Sequence, residues 1–154
     1  MLLIFKLVKN KLNNIKPISF LTPLSVLDTR KKSTVTKLTR NSKLFKTIIK
    51  AIEDKKGENI ISLDLRKIPE AVSDFFIVCQ ASSTTQIKAI SDYIEYLVKE
   101  ECGENPYKHE GKQALQWVLI DFVNVVVHIM HPDARKFYKL EDMWNDAISQ
   151  GHGI

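Results

Sequence analysis

Residues 117–147 read WVLIDFVNVVVHIMHPDARKFYKLEDMWNDA, and this stretch decides the fold. Two apolar runs, 115–122 and 125–130, flank a short turn, which predicts an antiparallel hairpin. Pro132 then begins a last helix. Proline is favoured at this first position because a backbone N–H there would have no hydrogen-bond acceptor within the helix. A sheet that ends in a hairpin and is followed by a helix is therefore predicted for this part of the chain.

The last predicted helix carries aromatic side chains among acids. A sheet core is built from aliphatic residues, whereas large amphipathic rings mixed with charge are typical of a recognition surface. The segment therefore indicates a binding function. Its aromatic and acidic members are Phe137, Tyr138, Trp144, Glu141, Asp142 and Asp146.

Upstream of the hairpin, the apolar spacing alternates between helical and strand periods. It predicts a helix over 44–52, strands at 61–65 and 74–79, a helix over 87–98 and a short edge strand at 107–110. The order αββαβββα indicates an α+β (mixed α/β) fold, with helices packed on a single mixed sheet.

The first predicted strand alternates apolar and polar residues. Ser62 and Asp64 stand between the apolar positions of this strand. Because successive side chains point to opposite faces of a sheet, both are expected on a face exposed to water.

Positive charge is concentrated at the N-terminus. Residues 1–40 hold nine Lys or Arg and one acid, whereas residues 41–154 hold fourteen bases and seventeen acids. The globular part is mildly acidic, which suits a basic protein partner better than a nucleic-acid backbone. We divide the chain into a basic head (1–34), a domain (35–148) and a short C-terminal tail (149–154).

The basic head allows three interpretations. It is a disordered basic tail, an organellar presequence, or translated upstream sequence that the working protein lacks. The first and third are favoured and agree with a cytoplasmic protein, whereas a presequence would direct it to an organelle matrix. No apolar run approaches the ~20 residues of a membrane helix, so no membrane partner is expected.

Residues capable of catalysis or metal binding are present but scattered. His128 and His131 lie on a strand and at its end, so their side chains need not converge. Cys79 and Cys102 are far apart in sequence and are interpreted as structural, reduced thiols. We expect no metal, no cofactor and no catalytic residue.

One alternative interpretation is an enzyme. The turn ASSTTQ (81–86) lies between a strand and a helix, where backbone amides can hold a phosphate, and Asp74 is near in sequence. This would suit a small nucleotidyltransferase or a phosphate-ester hydrolase. The turn has no glycine and the strands carry no carboxylate pair, so we favour a capped helix start with Thr84 or Thr85 as the cap.

From about Leu44 to Ala147 the chain resembles the ribosomal silencing factor family, also called the Iojap family. The segments that carry the resemblance are, in order, KKGENIISLDLRKI, SDFFIVCQASSTTQIKAISDYIE, PYKHEG, WVLIDFVNVVVHIM and RKFYKLEDMWNDA. The resemblance implies a fold similar to nucleotidyltransferases without their catalytic carboxylates. It also implies binding to the large ribosomal subunit through ribosomal protein fourteen, which blocks subunit joining and lowers translation when nutrients are short. Relatives in organelles assist large-subunit assembly.

We expect one contact surface for this partner. Trp117 and Asp121 are four residues apart on one strand and share a face. For Trp117 and Trp144, packing in the interior is the competing interpretation. The predicted contact residues are Trp117, Asp121, Phe122, Tyr138, Glu141, Trp144 and Asp146.

The acids of this surface are expected to set the association rate and its salt dependence. The protein is expected to be a monomer or a weak homodimer, and the basic head is a candidate for peripheral contact with ribosomal RNA. Val123 stands in the hairpin turn where the family more often has glycine, so a turn without positive φ is expected there.

Overall fold

The structure, a computed structural model, describes residues 38–153. These residues form a single six-stranded mixed sheet with helices, as the sequence predicts. The elements in chain order are α1 (Lys43–Asp54), β1 (Glu58–Asp64), β2 (Phe75–Gln80), α2 (Thr84–Cys102), β3 (Lys108–Glu110), β4 (Trp117–Asp121), β5 (Val125–Met130), α3 (Pro132–Tyr138), α4 (Leu140–Met143) and β6 (Ile148–His152).

The strands lie in the order β3-β4-β5-β2-β1-β6. Strands β2 and β5 are parallel, with Phe75 beside Val125 and Gln80 beside Met130. Every other neighbouring pair is antiparallel. The predicted hairpin of β4 and β5 is confirmed.

Both faces of the sheet are covered. Helices α1 and α2 bury Ile48 and Ile90 against one face, which we call the helix side. Segment 132–147 covers the opposite face with Leu140 and Trp144, and this face is the C-terminal side. Each central strand therefore has one apolar row for each side, which explains its continuous apolar sequence.

Residues 148–152 form a strand and not the predicted C-terminal tail. Residues Ile148–His152 form β6, which pairs antiparallel with β1 over five positions, from Asp64 beside Ile148 to Ile60 beside His152. The predicted domain boundary at 148 is therefore wrong. The predicted basic head (1–34) lies outside the described residues.

Strand β1 is not exposed to water at Ser62 and Asp64, where the sequence predicted an exposed face. Ser62 is fully buried, and its hydroxyl has polar partners there. Its Oγ accepts a hydrogen bond from Arg40 Nε at 3.0 Å and lies 2.7 Å from His152 Nε2. Asp64 is 9% exposed and pairs with Arg66 at 2.6 Å. The expectation of a face exposed to water was wrong, since the side chains of Arg40, His152 and Arg66 contact these two residues.

None of the helices within residues 38–153 has the length and apolar character needed to cross a bilayer.

Candidate functional site: an aromatic surface on the C-terminal side

Helix α3 lies on the outside of the C-terminal side. His131 caps its start, where Nδ1 accepts a hydrogen bond from the N–H of Asp133 at 3.2 Å, and Pro132 occupies the first turn. Lys139 ends it in the left-handed region at φ 48°. No residue of α3 is buried, so the following residues Leu140 and Trp144 anchor the segment to the sheet.

A column of rings runs from the surface of α3 into the core. Phe137 is 78% exposed, and its ring centroid lies 5.0 Å from that of Tyr138. Tyr138 lies 4.8 Å from the buried Trp117, which is 5.8 Å from His128. His128 in turn lies 4.7 Å from Phe76. Two exposed rings therefore stand on a rigid buried aromatic base.

His128 in this column is neutral. Burial lowers the pKa of its imidazole to about 3, because the charged form loses its hydration. Its Nδ1 accepts a hydrogen bond from Trp117 Nε1 at 3.0 Å, so the ring proton is on Nε2. This bond fixes the Trp117 ring beneath Tyr138.

A cavity of about 550 Å³ opens beside the column. Trp117, Ala134 and Tyr138 form its apolar wall, and the connection from β3 to β4 forms the other. It is large enough to accept a partner side chain. Its remaining lining residues are His109, Glu110, Gly111, Lys112, Gln113, Ala114 and Gln116.

Gly111 lets the β3–β4 connection approach β4 closely. Its φ is 82°, and a Cβ placed on it would lie 1.9 Å from the carbonyl oxygen of Trp117. Any side chain at this position would push the cavity wall away from Trp117. Gly111, the last residue of the PYKHEG segment, therefore shapes the site through its backbone conformation.

Arg135 holds α3 against the sheet. Its guanidinium donates to the carbonyl oxygen of Asn59 at 2.8 Å, to Gln80 Oε1 at 3.3 Å and to Glu141 Oε1 at 2.6 Å. The Arg135 side chain is only 11% exposed. Glu141 is thus part of an internal ion pair that positions the helix, and its charge is largely compensated.

The structure places four of the seven predicted contact residues in the interior. Trp117 and Trp144 are 2% and 1% exposed, and both pack on the C-terminal side. Phe122 packs on the opposite, helix side. Asp121 is fully buried and its Oδ1 accepts from the N–H of Val123 at 2.7 Å. The prediction of one exposed surface is corrected for these four, which support the site from below.

The other three predicted residues are accessible to different degrees. Tyr138 is 40% exposed, Asp146 is exposed and Glu141 is half-buried. Phe137 is more exposed than Tyr138, at 78% against 40%, but was not among the predicted contact residues. Its position directly before Tyr138, on a helix that is too short to bury both rings, was the signal that could have identified it.

Val123 adopts the conformation that was not expected of it. Its φ is 71°, in the left-handed region, so the prediction of a turn without positive φ was wrong. The Asp121 carboxylate holds the N–H of Val123, and Asn124 donates to the carbonyl of Phe122 at 2.9 Å. These bonds hold a β-branched residue where glycine would be unstrained.

The turn considered for phosphate chemistry is a capped helix start. Ser83 is the N-cap of α2 and accepts from the N–H of Gln86 at 3.2 Å, so the cap lies one residue before the predicted Thr84. Burial raises the pKa of the Cys79 thiol to about 12, which disfavours a thiolate nucleophile. No group of three potential metal-ligating side chains occurs within residues 38–153.

Comparisons with known proteins identify the family. The family model described as "Ribosomal silencing factor during starvation" matches residues 26–152. The chain belongs to the ribosomal silencing factor family. This confirms the resemblance found in the sequence. The matched range begins inside the predicted basic head and includes strand β6.

Individual relatives of the family agree in sequence and fold. The "Ribosomal silencing factor RsfS" of Halalkalibacterium halodurans is 36% identical over 107 residues, covering 70% of this chain and 90% of the relative. The Bacillus subtilis protein of that name is 38% identical, covering 68% and 86%. A crystal structure of a Chromobacterium violaceum protein aligns with a TM-score of 0.63 at 36% identity, covering 66% of this chain and 83% of that one.

A mouse relative has a name that specifies an assembly role. "Mitochondrial assembly of ribosomal large subunit protein 1" is 33% identical over 91 residues, covering 56% of this chain and 40% of the mouse protein. These names describe ribosome-associated factors rather than enzymes.

Proposed function

We propose that this protein represses translation by binding the large ribosomal subunit through ribosomal protein fourteen, where it sterically blocks association with the small subunit. The observation that carries the proposal is the exposed ring pair Phe137 and Tyr138 beside a cavity of about 550 Å³. Rigid aromatic side chains next to a pocket are the features that dominate binding energy in protein interfaces. Family membership supports the choice of a ribosomal partner.

Exposed acids outnumber exposed bases on segment 132–147 by three to two, since Lys136 and Lys139 flank the ring pair, and this excess favours a basic partner. Asp133, which is 92% exposed, Asp142 and Asp146 are acids on the surface of the same segment, whereas Glu141 is held by Arg135. We therefore assign electrostatic steering to the three aspartates and a structural role to Glu141. Exposed charged residues such as these aspartates mainly change the association rate of a complex.

Binding to purified ribosomal protein fourteen tests the contact. Phe137→Ser and Tyr138→Ser should each weaken binding by at least about tenfold, because each removes a desolvated ring from the interface. Tyr96→Ser is the matched control, since Tyr96 is 58% exposed on α2, on the helix side. Light scattering of mixed ribosomal subunits should show that Phe137→Ser and Tyr138→Ser block subunit joining less well than the wild type does. Tyr96→Ser should block it as well as the wild type.

An assembly role in the large subunit is the second candidate, favoured by the name of the mouse relative. Depletion of the protein would then leave incomplete large-subunit particles in sucrose gradients. Normal particles with uncontrolled subunit joining would assign the protein to silencing alone.

The basic head (1–34) is expected to be dispensable for silencing in the cytoplasm. Its lysines could instead contact ribosomal RNA, which would steepen the dependence of affinity on salt by roughly 0.7 to 0.9 logarithmic units per neutralised phosphate. Equal salt slopes for the full chain and for a chain starting at Thr36 would support dispensability. A steeper slope for the full chain would show that the head contacts RNA.

A further inference from the structure

One wall of the cavity beside Trp117 is formed by a connection that lies outside the strand pairing of the sheet. Pairing of β3 with β4 ends at Glu110, which lies beside Leu119. Residues 111–116 then cross to the start of β4 and line the cavity at five of their six positions. The position of this wall therefore depends on contacts other than the strand ladder.

The backbone of this connection is held in an unfavourable conformation. Leu115 has a φ of 55°, in the left-handed region that leucine rarely occupies. Its N–H donates to the carbonyl oxygen of Gly111 at 3.0 Å, which closes a turn, and its side chain packs against the core on the helix side. A conformation of this kind persists only where the surrounding contacts over-determine it.

Lys112, the charged residue of this connection, reaches helix α2. Its Nζ lies 2.7 Å from Glu95 Oε1 and 3.3 Å from Asp92 Oδ1. The two acids are three residues apart on α2, so they lie on the same side of the helix. The side chains of Lys112 and Glu95 are 27% and 24% exposed, and their ion pair is screened by water less than a fully exposed one.

These ion pairs connect the two sides of the sheet. Helix α2 packs on the helix side, whereas the cavity opens on the C-terminal side beside Trp117 and Tyr138. Two neighbouring contacts extend the cluster, since Lys88 pairs with Asp92 and His109 Nδ1 lies 3.4 Å from Glu95 Oε1. Lys88 belongs to α2 and His109 to β3, so neither of them holds residues 111–116 directly.

We propose that Lys112 is a positioning residue of the partner site, whose ion pairs with α2 hold the β3–β4 connection at the distance from Trp117 and Tyr138 that forms the cavity. This inference rests on the proposed binding function. A cavity that is formed before binding spares the complex the cost of ordering its wall, so release of the wall lowers the affinity. Lys112 acts here through the connection and not through contact with the partner.

The sign of the effect separates this role from a direct electrostatic one. The proposed partner is basic, so removal of a positive charge beside the cavity should by itself strengthen binding. Lys112→Met keeps an unbranched side chain and removes both ion pairs, and the positioning role predicts weaker binding. Lys112→Arg should restore binding, because a guanidinium pairs with carboxylates in the same way.

Hydrogen exchange of the full chain, followed by NMR, tests the link to α2 without any partner. The Leu115 amide should exchange at least about tenfold faster in Lys112→Met, because its hydrogen bond to Gly111 opens more often once the connection is released. The amides of β2 and β5 should keep their wild-type rates, which shows that the fold is retained. Unchanged exchange at Leu115, or an equal acceleration in β5, would overturn the positioning role.

Affinity for purified large ribosomal subunits tests the consequence for binding. Lys112→Met should bind about three- to tenfold more weakly than the wild type, and Lys112→Arg within about twofold of it. Lys99→Met is the matched control, since Lys99 is an exposed lysine of α2, and it should bind as the wild type does. Unchanged or tighter binding by Lys112→Met, or a failure of Lys112→Arg to restore it, would overturn the proposal.

The two measurements also separate this proposal from the proposed function. A wild type that does not bind large subunits would overturn the proposed function and, with it, the role of Lys112 in binding. The Leu115 exchange rates would then still show whether Lys112 holds the connection. Normal binding by the wild type together with unchanged exchange in Lys112→Met would overturn the role of Lys112 alone.

Discussion

Lowering the pH from 7 to 5 is expected to destabilise the fold through His128. The buried ring has a pKa of about 3 in the folded protein, against 6.5 when it is free in water. Below pH 6.5 the unfolded chain therefore binds a proton that the folded chain excludes. Stability is fully retained above the unfolded pKa and falls as the pH drops from 6.5 toward 3, by about 1.4 kcal/mol per pH unit.

At pH 5 this amounts to a loss of about 2 kcal/mol from His128 alone. Burial also lowers the pKa of His152, which acts in the same direction. Asp64 does not contribute in this range. Its pKa is lowered by the hydrogen bond from Arg66, so the stability that it adds is lost only below its unfolded value of 3.8.

Urea unfolding followed by tryptophan fluorescence at pH 7, 6 and 5 measures the effect. His128→Gln keeps an acceptor for Trp117 Nε1 but cannot take up a proton, so its stability should be lower at pH 7 and much less dependent on pH. His152→Gln serves as the control and should retain most of the wild-type dependence. Equal losses in wild type and His128→Gln between pH 7 and 5 would refute the assignment to His128.

Three substitutions test the backbone and the ion pair around the site by thermal and urea unfolding. Val123→Gly should stabilise the protein by about 1 kcal/mol, since it relieves a φ of 71°; a loss of stability would contradict this strain. Gly111→Ala should destabilise by more than about 2 kcal/mol, because its Cβ would overlap the Trp117 carbonyl; a neutral result would contradict that close approach. Arg135→Ala should lower the free energy of unfolding by roughly 2–3 kcal/mol, because it leaves Glu141 without its partner. Arg135→Lys should restore only part of this stability. Full restoration would show that a single positive charge suffices.

The elements with local signals were predictable from the sequence. Helical spacing from Leu44 to Ile52 and the polar turn between two apolar runs gave α1 and the β4–β5 hairpin, because burial on one side of a helix or strand sets the period directly. The single mixed sheet followed from the order of these elements. Local patterns therefore carried the fold class.

Strand β6 and the burial of the site residues were not predictable in this way. Ile148–His152 has no apolar alternation and forms a strand because β1 offers it an edge far away in sequence. Trp117 and Trp144 have the residue type of an interface, yet Trp144 anchors segment 132–147 to the sheet and that segment covers Trp117. Whether a tryptophan is a contact or a support depends on such long-range packing, which residue type does not specify.

The affinity of the full chain for purified large ribosomal subunits tests the central claim most directly. Co-sedimentation should give a dissociation constant that rises at least about tenfold in Phe137→Ser and Tyr138→Ser, while Tyr96→Ser binds as the wild type does. Each variant should remain folded, which circular dichroism checks, since Phe137, Tyr96 and Tyr138 are 78%, 58% and 40% exposed. Wild-type affinity in both α3 variants, or an equal loss in Tyr96→Ser, would contradict a ribosomal contact through the exposed rings of α3.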